Sequence, residues 1–525
     1  MKIRARLAIR PRSCAAVVIA ALFSAPGSAD GQIGATSGQQ PTTTANPLPL
    51  SGRTSQTGSV TAAEQAVPGA TTSVNTINPT VQVAGPYAGS IPSTAAVPFS
   101  GKLSFREAIR RGLGYNLGGV GLTAAVRQAQ GQARAVRSGL LPNLNGSLSE
   151  TVQQTNLEAL GVHFRIPIAG FEFPTVVGPF NFFDLRARLS QTVVDLTALN
   201  NYRSAAETER ATALYLRDAK DLIVLGVGGA YLEVIAAKAR LDSAHSQLET
   251  ANALYTQTLQ QRKVGLVAQV DVDRSEVQVL TERQRIASLA NDLAKQKINL
   301  ARMTGLPPND RYETTDDIPF EASAARNADD AVGEAFRERS DLKGAEAQVR
   351  AAERIAAAAR AERLPSIALN GDYGVIGTNP GHSHGTFSVE GTLRIPIWQG
   401  GRAEGDIEQA EAAVAQRRAE FEDQKAQIES EVRKAYLDLE AAATQVEVAQ
   451  RNIQVSQETL DLTRQRFDAG VADNVEVVQA QESLATASLD YINSVFAHNL
   501  AKLSLARSIG NPAESLPQFL KLHLQ

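Results

Sequence analysis

Between Pro179 and Pro307, and again between Pro396 and Pro512, the chain contains no proline. Both runs are built mostly of Ala, Glu, Gln, Arg, Leu and Val, residues that largely favour helix. The stretch from Asn200 to Lys263 reads as one helix, about 95 Å long at 1.5 Å per residue. Typical globular helices are far shorter, so everything else in the chain has to be read around these rods. In the second run apolar positions recur at spacings of three and four, as at Val432, Tyr436, Leu439, Ala443 and Val446. That pattern suits helices packed side by side along coiled-coil-like seams.

The two runs are copies. "AYL" occurs at Ala230–Leu232 and 205 residues later at Ala435–Leu437. Leu300-Ala301-Arg302, Gly305 and Pro307 recur at the same offset as Leu505-Ala506-Arg507, Gly510 and Pro512. Upstream, "LLPNL" (140–144) pairs with "RLPSI" (363–367) at an offset of 223, so the first copy carries about nineteen extra residues between the anchors. A unit this long is not a solenoid repeat. Residues 99–326 and 327–525 therefore read as first and second structural repeats. Each is expected to hold a helix of about 35 residues (104–139 and 328–363) ended by Leu-Pro. Two strands, the long helix, a glycine break and a second helix of about 35 residues should follow. The breaks lie in "QRKVGLVAQVDVDRSEV" (261–277) and "RFDAGVADNVEVVQAQE" (466–482).

The strand stretches alternate. Ile367, Leu369, Tyr373 and Val375 alternate with Ala368, Asn370, Asp372 and Gly374. After "IGTNPGHSHG", Phe387, Val389, Leu393, Ile395 and Ile397 alternate with Ser388, Glu390, Thr392 and Arg394. Copy one repeats this with Leu144, Leu148 and Val152, then with Phe183, Leu185, Leu189 and Val193 against Asp184, Arg186, Arg188 and Ser190. Strands of about ten residues with one apolar and one charged face fit a water-lined transmembrane barrel. A soluble hairpin with one wet face looks the same locally. Trp398 and the Phe180, Phe182, Phe183 cluster stand near strand ends, where interfacial aromatics belong.

The N-terminus favours the membrane reading. Lys2, Arg4, Arg6, Arg10 and Arg12 precede the apolar run "CAAVVIAALFSA" (14–25) and the small residues Gly27-Ser28-Ala29. Residues 1–29 therefore read as a secretory signal peptide, too short to span a membrane. Cys14, the single cysteine, would leave with it, removing thiolate metal sites, disulfides and a lipid anchor. Without its five positive charges the net charge falls from −3 to −8, and no nucleic-acid footprint remains. Residues 30–98, rich in Thr, Ser, Gly and Pro and poor in charge, read as a flexible or extended N-terminal segment. Four strands cannot close a barrel, and an open edge cannot face lipid. The chain is thus expected to oligomerise head to tail into a ring of three or more copies.

A duplicated unit of helix, hairpin, long helix, glycine turn and helix, with "LRIPIWQGGR" (393–402) at the strand-to-helix passage, resembles the TolC-like outer-membrane efflux proteins over about residues 100–515. The resemblance implies a mainly α fold with a transmembrane β-barrel portion. Three chains would give a twelve-stranded barrel, four strands each, continued by a long α-helical barrel across the periplasm. It implies a homotrimer in outer-membrane lipid, working with a periplasmic adaptor protein and an inner-membrane pump. It also implies that Val264, Gly265 and Leu266, with Ala469, Gly470 and Val471, form tip turns that contact the adaptor. Asp271 and Glu476 match acidic gate positions and are expected to make a cation-attracting constriction. Phe467, Ala472 and Gln479 depart from the family's usual tyrosine, basic residue and second acid.

No phosphate loop, nucleophile elbow or paired-carboxylate cleft stands out, so the reading is not an enzyme and needs no cofactor. His382 and His384 lie in a Gly/Pro loop without thiolate or carboxylate partners, so no metal is expected there. The cluster Gly226-Val227-Gly228-Gly229 suits close packing or a bend. A type I secretion channel of the same architecture and an exported coiled-coil structural protein remain alternatives.

Overall fold

The computed structural model describes residues 59–68, 75–91, 99, 101–161, 174–309, 311–317, 320–321 and 327–510. The signal-peptide reading of 1–29 falls outside them. The described residues form two units. One comprises Leu144–Ser190 and Asn370–Glu390, and the other holds the rest.

The first unit is a sheet. Strands β4 (Asn143–Asn156), β5 (Val176–Val194), β7 (Ser366–Gly377) and β8 (Ser383–Arg394) lie in the order β4-β5-β7-β8, while the two-residue strands β3 (Lys102–Leu103) and β6 (Glu313–Thr314) pair in parallel in the other unit. The hairpin of each copy is kept, and the two hairpins sit edge to edge. Side chains alternate in direction along a strand. Leu148, Val152, Leu185, Leu189, Tyr373, Phe387 and Val389 are all exposed. On the other side, the Arg186 guanidinium donates to Asp372, to Asp184 Oδ1 at 3.2 Å and to Thr386 Oγ1 at 3.2 Å, while the Ser388 hydroxyl donates to Asp372. This polar network ties β5, β7 and β8 together across both copies.

The second unit is helical. Copy one contributes α1 (Phe105–Tyr115), α2 (Leu117–Ser138), α3 (Leu196–Lys263) and α4 (Gln269–Thr304). Copy two contributes α5 (Ala328–Glu338), α6 (Ser340–Ala361), α7 (Arg402–Asp468) and α8 (Asn474–Ile509). The long helices have 68 and 67 residues and the helices after the breaks 36 each, matching the duplication closely. Gly305 and Gly510 end α4 and α8 in the left-handed conformation, at φ 73° and 101°. Both helices therefore stop where the repeated Leu-Ala-Arg…Gly motif puts glycine.

One 18-residue window of α3, of mean hydropathy 1.7, is long and apolar enough to cross a membrane, but 67 % of it is buried. It is the main core. Ile223, Val224, Val227, Tyr231 and Leu232 pack with Phe105, Leu300, Leu500 and Leu503. Tyr231, from the "AYL" motif, is fully buried, and its one hydroxyl proton is shared between Leu103 O at 2.8 Å and Asp316 Oδ2 at 2.7 Å.

Two expectations need correction. The helices expected over 104–139 and 328–363 are each broken in two. Asn116 (φ −62°, ψ 132°) and Arg339 (φ −60°, ψ 124°) are extended single-residue interruptions. Asn116 caps the next helix by accepting from Gly118 N, and its Nδ2 donates to Tyr87 O at 2.6 Å. Arg339 is held instead by Asp341 and Glu431.

The segment 30–98, read as flexible or extended, contains an ordered antiparallel hairpin, β1 (Val60–Pro68) with β2 (Asn75–Val83), and a buried Tyr87. The reason lies on α3, where the glycine cluster has no side chains to keep a neighbour away. A Cβ on Gly229 would meet Val81 Cγ2 at 2.3 Å, and one on Gly226 would lie 3.4 Å from Val60. The glycines thus permit close packing, with the hairpin as the packed partner.

Gly229→Ala should displace the hairpin, at a cost of about 1–3 kcal/mol. The expected readout is a lower apparent unfolding midpoint in detergent and faster proteolysis within 59–91. Gly131→Ala, where nothing lies within 4 Å, should instead stabilise by about 0.5–1 kcal/mol. Equal midpoints for the two variants would contradict the packing account.

Candidate functional site

Each long helix is ended by a Schellman turn. After α3, Leu266 N donates to Gln261 O at 2.9 Å and Gly265 N to Arg262 O at 3.0 Å. After α7, Val471 N donates to Arg466 O at 2.9 Å and Gly470 N to Phe467 O at 3.0 Å. Gly265 and Gly470 occupy the left-handed position, at φ 78° and 70°. A Cβ on either would meet nothing within 4 Å, so backbone conformation rather than space selects glycine.

In this motif the apolar residue after the glycine usually folds back on the helix. Here it does not. Leu266 and Val471 are 74 % and 69 % exposed, and Val264 is 71 % exposed. In both copies the apolar residue after the glycine stands exposed.

The structure ties the two turns together. Asn474 is buried and donates from Nδ2 to Asp271 O at 2.8 Å, and Gln257 Nε2 donates to Asp468 Oδ1 at 2.5 Å. Behind them Leu254, Leu460, Phe467, Val477 and Ala480 form an apolar cluster, with Ala472 packed on it. Phe467 and Ala472 thus serve as packing residues here. Gln479 is exposed.

Asp271 accepts from Ala268 N at 3.3 Å and pairs with Arg274 at 3.2 Å. Glu476 pairs with Arg466 at 3.0 Å, across the turn. Neither acid stands unpaired. Sequence reading missed Arg274, Arg466 and Asn474. The spacing of Arg274, three residues after Asp271 on a helix, was the available signal.

A second polar cluster lies deeper among α3, α6, α7 and α8. Asp218 pairs with Arg507 at 2.5 Å. Arg339 pairs with Asp341 at 2.7 Å and Glu431 at 2.6 Å, and Gln424 donates to Asp341 at 2.9 Å. These groups line a cavity of about 660 Å³. Removing one partner of such a buried pair leaves an uncompensated charge, typically at a cost of about 3–5 kcal/mol. Nearby, burial pushes the Asp221 carboxyl up to about 7, opposed by Arg507 and reinforced by Asp218. His382 meets Asn379 at 3.0 Å in its loop, and the described residues contain no group of three metal-ligating side chains.

Duplicated long helical hairpins together with an amphipathic four-stranded sheet define a class, the protomer of a membrane channel. A family model described as outer membrane efflux protein matches residues 122–306 and again 331–511, and the chain belongs to that family. The family is one of ducts and not of enzymes, and its members lie in the outer membrane.

Among relatives, the chain is 26 % identical over 303 residues to the fusaric acid resistance protein FusA of Burkholderia cepacia, covering 56 % of this chain and 55 % of that one. It is 27 % identical over 296 residues to outer membrane protein OprJ of Pseudomonas aeruginosa, covering 55 % and 59 %. The chain thus spans about half the length of the curated relatives it matches. Among solved structures, the outer membrane protein VceC of Vibrio cholerae aligns with a TM-score of 0.66 at 19 % identity, over 78 % of this chain and 96 % of that one. This likeness supports the fold: mainly α and tandem-duplicated, with a four-stranded sheet.

The buried carboxylates give stability a sign with pH. Asp221 rises from an ordinary 3.8 to about 7 on folding, so between those values the folded chain binds more protons than the unfolded one. Its contribution is full below the unfolded value and is lost as pH rises through 7. Burial pushes Asp218 in the same direction. The unfolding midpoint should therefore fall between pH 5.5 and 8, and Asp221→Asn should flatten that slope. An unchanged slope in the variant would remove Asp221 from the account.

Proposed function

We propose that this chain is the outer-membrane channel of a tripartite efflux system, a passive duct formed by three copies. The observation that carries this reading is the four-stranded sheet with one exposed apolar face and no strand beyond β4 or β8 among the described residues. Three copies joined head to tail give twelve strands, a ring with no edge and with room for water. The long helices continue the duct through the periplasm. Energy comes from an inner-membrane pump reached through a periplasmic adaptor. The cargo is a class of small organic molecules, in keeping with the fusaric acid in one relative's name.

The adaptor binds at the tip turns, formed by Val264, Gly265 and Leu266 with Ala469, Gly470 and Val471. The support is the exposed apolar residue, Leu266 or Val471, that each copy holds out after the glycine of its Schellman turn. Asp271 and Glu476 line the gate. Because each faces an arginine of its own chain, the ring they form is a paired one, with less pull on cations than two bare acids would have.

Purified protein in a planar bilayer should give discrete conductance steps, and their absence would contradict a duct. Asp271→Ala with Glu476→Ala strands Arg274 and Arg466, so the reversal potential in a salt gradient should shift toward anion preference. An unchanged potential would take these acids out of the gate. Leu266→Ser with Val471→Ser should abolish crosslinking to the adaptor while conductance persists. Retained crosslinking would move the contact elsewhere.

A further inference from the structure

The phenylalanines near the start of β5 do not share a face. Side chains alternate in direction along a strand. Phe183 therefore falls with the exposed Leu185 and Leu189, while Phe180 and Phe182 fall with Asp184 and Arg186. Arg186 Nε donates to Asp184 Oδ1 at 3.2 Å, so residues two apart meet on that face. The same parity holds further along, where a Cβ on Gly178 would lie 3.2 Å from Phe180 Cδ1. The cluster expected at a membrane interface is thus divided, with two of its three rings on the polar side of the sheet.

β7 adds a third apolar side chain. Arg186 pairs with Asp372, and Asn181 Nδ2 donates to Thr378 O at 3.2 Å, so β5 and β7 run antiparallel. Ile376, four residues after Asp372, is therefore level with Phe182, four before Arg186, and on the same face. Followed along β5 toward its hairpin turn, that face reads Ser190, Arg188, Arg186 and Asp184 before it changes to Phe182 and Phe180. Phe180 is 39 % exposed, and Phe182 and Ile376 are half-buried. The lumen of a membrane barrel is ordinarily polar, so aromatic rings on this face serve something other than contact with water.

We propose that Phe180, Phe182 and Ile376 form a binding patch for flat aromatic cargo at the outer mouth of the duct. The proposal rests on the channel reading above and deepens it by naming the chemical class of the cargo. Continuity favours cargo as the occupant. In that reading the patch lies on the face that lines the lumen, next to the network of Arg186 and Asp372, and what the duct carries passes over it. Three copies set three such patches around the mouth. A twelve-stranded ring has room for water, so the patches line the passage without closing it. Their rings offer an aromatic molecule offset-stacked or edge-to-face contacts that an aliphatic one cannot make.

Single channels in a planar bilayer test this, with naphthalenesulfonate as the probe and methanesulfonate as a non-aromatic counterpart of equal charge. Naphthalenesulfonate should reduce the current in a concentration-dependent way, and methanesulfonate at the same concentration should not. Phe180→Leu with Phe182→Leu keeps the apolar bulk and should weaken the block about tenfold, the equivalent of two lost ring contacts. Equal block by the two probes would assign it to the arginines, and block unchanged in the variant would move it elsewhere; either result overturns the patch. The direction of the rings has its own readout, because Cys14 is the single cysteine. In a Cys14→Ser background, Phe182→Cys should lose conductance to a water-soluble methanethiosulfonate reagent, whereas Phe183→Cys should not. No response at position 182 overturns the patch, whether lipid or the chain's own hairpin loop covers the site. Conductance without selective block by naphthalenesulfonate sinks the patch alone, whereas protein that gives no conductance steps sinks the channel reading and the patch with it.

Discussion

Two strand edges set the terms for this molecule. β4 and β8 each offer a row of backbone donors and acceptors with no neighbour among the described residues. In hydrocarbon each unpaired group costs several kcal/mol, so a sheet whose other face is apolar and exposed cannot rest as a single copy. The ring closure proposed above answers this requirement. The side-chain network of Arg186, Asp372, Ser388 and Thr386 already links three of the four strands on the polar face. What remains open is the backbone at the two outer edges.

Duplication gives the chain two sets of helices and hairpins, and the copies have diverged where their surroundings differ. The helix interruption at Asn116 is satisfied by a short side chain and by the N-terminal segment carrying Tyr87. Its counterpart, Arg339, is satisfied by a buried ion-pair cluster that recruits α7 and α8. Cap glycines, by contrast, are identical in both copies, because the left-handed conformation leaves little choice of residue. Where backbone geometry decides, the repeat is kept. Where packing decides, it drifts.

That division also explains what could be read beforehand. Long helices, glycine turns and alternating strands each follow from a local pattern, and the structure has them within a few residues. "AYL" was visible as a repeat, and its role as the buried Tyr231 anchor required the fold. The breaks at Asn116 and Arg339 were invisible because one extended residue leaves the helical period intact on either side. The β1/β2 hairpin was misread because its composition is that of a loop. Its partner is a bare glycine surface on α3, where Gly229 lies 148 residues after Val81 and Gly226 lies 166 after Val60. At the tip turns, glycines and acids were legible, but Arg466 pairs with Glu476 across a reversal, a closeness that sequence spacing does not reveal.

The most direct test is the mass of the mature protein released gently from detergent in a native mass spectrometer. Three chains in one particle, with no stable single chain, is the result this account predicts. A monomer that stays dispersed in buffer without detergent would contradict it, because its strand edges would then need no partner.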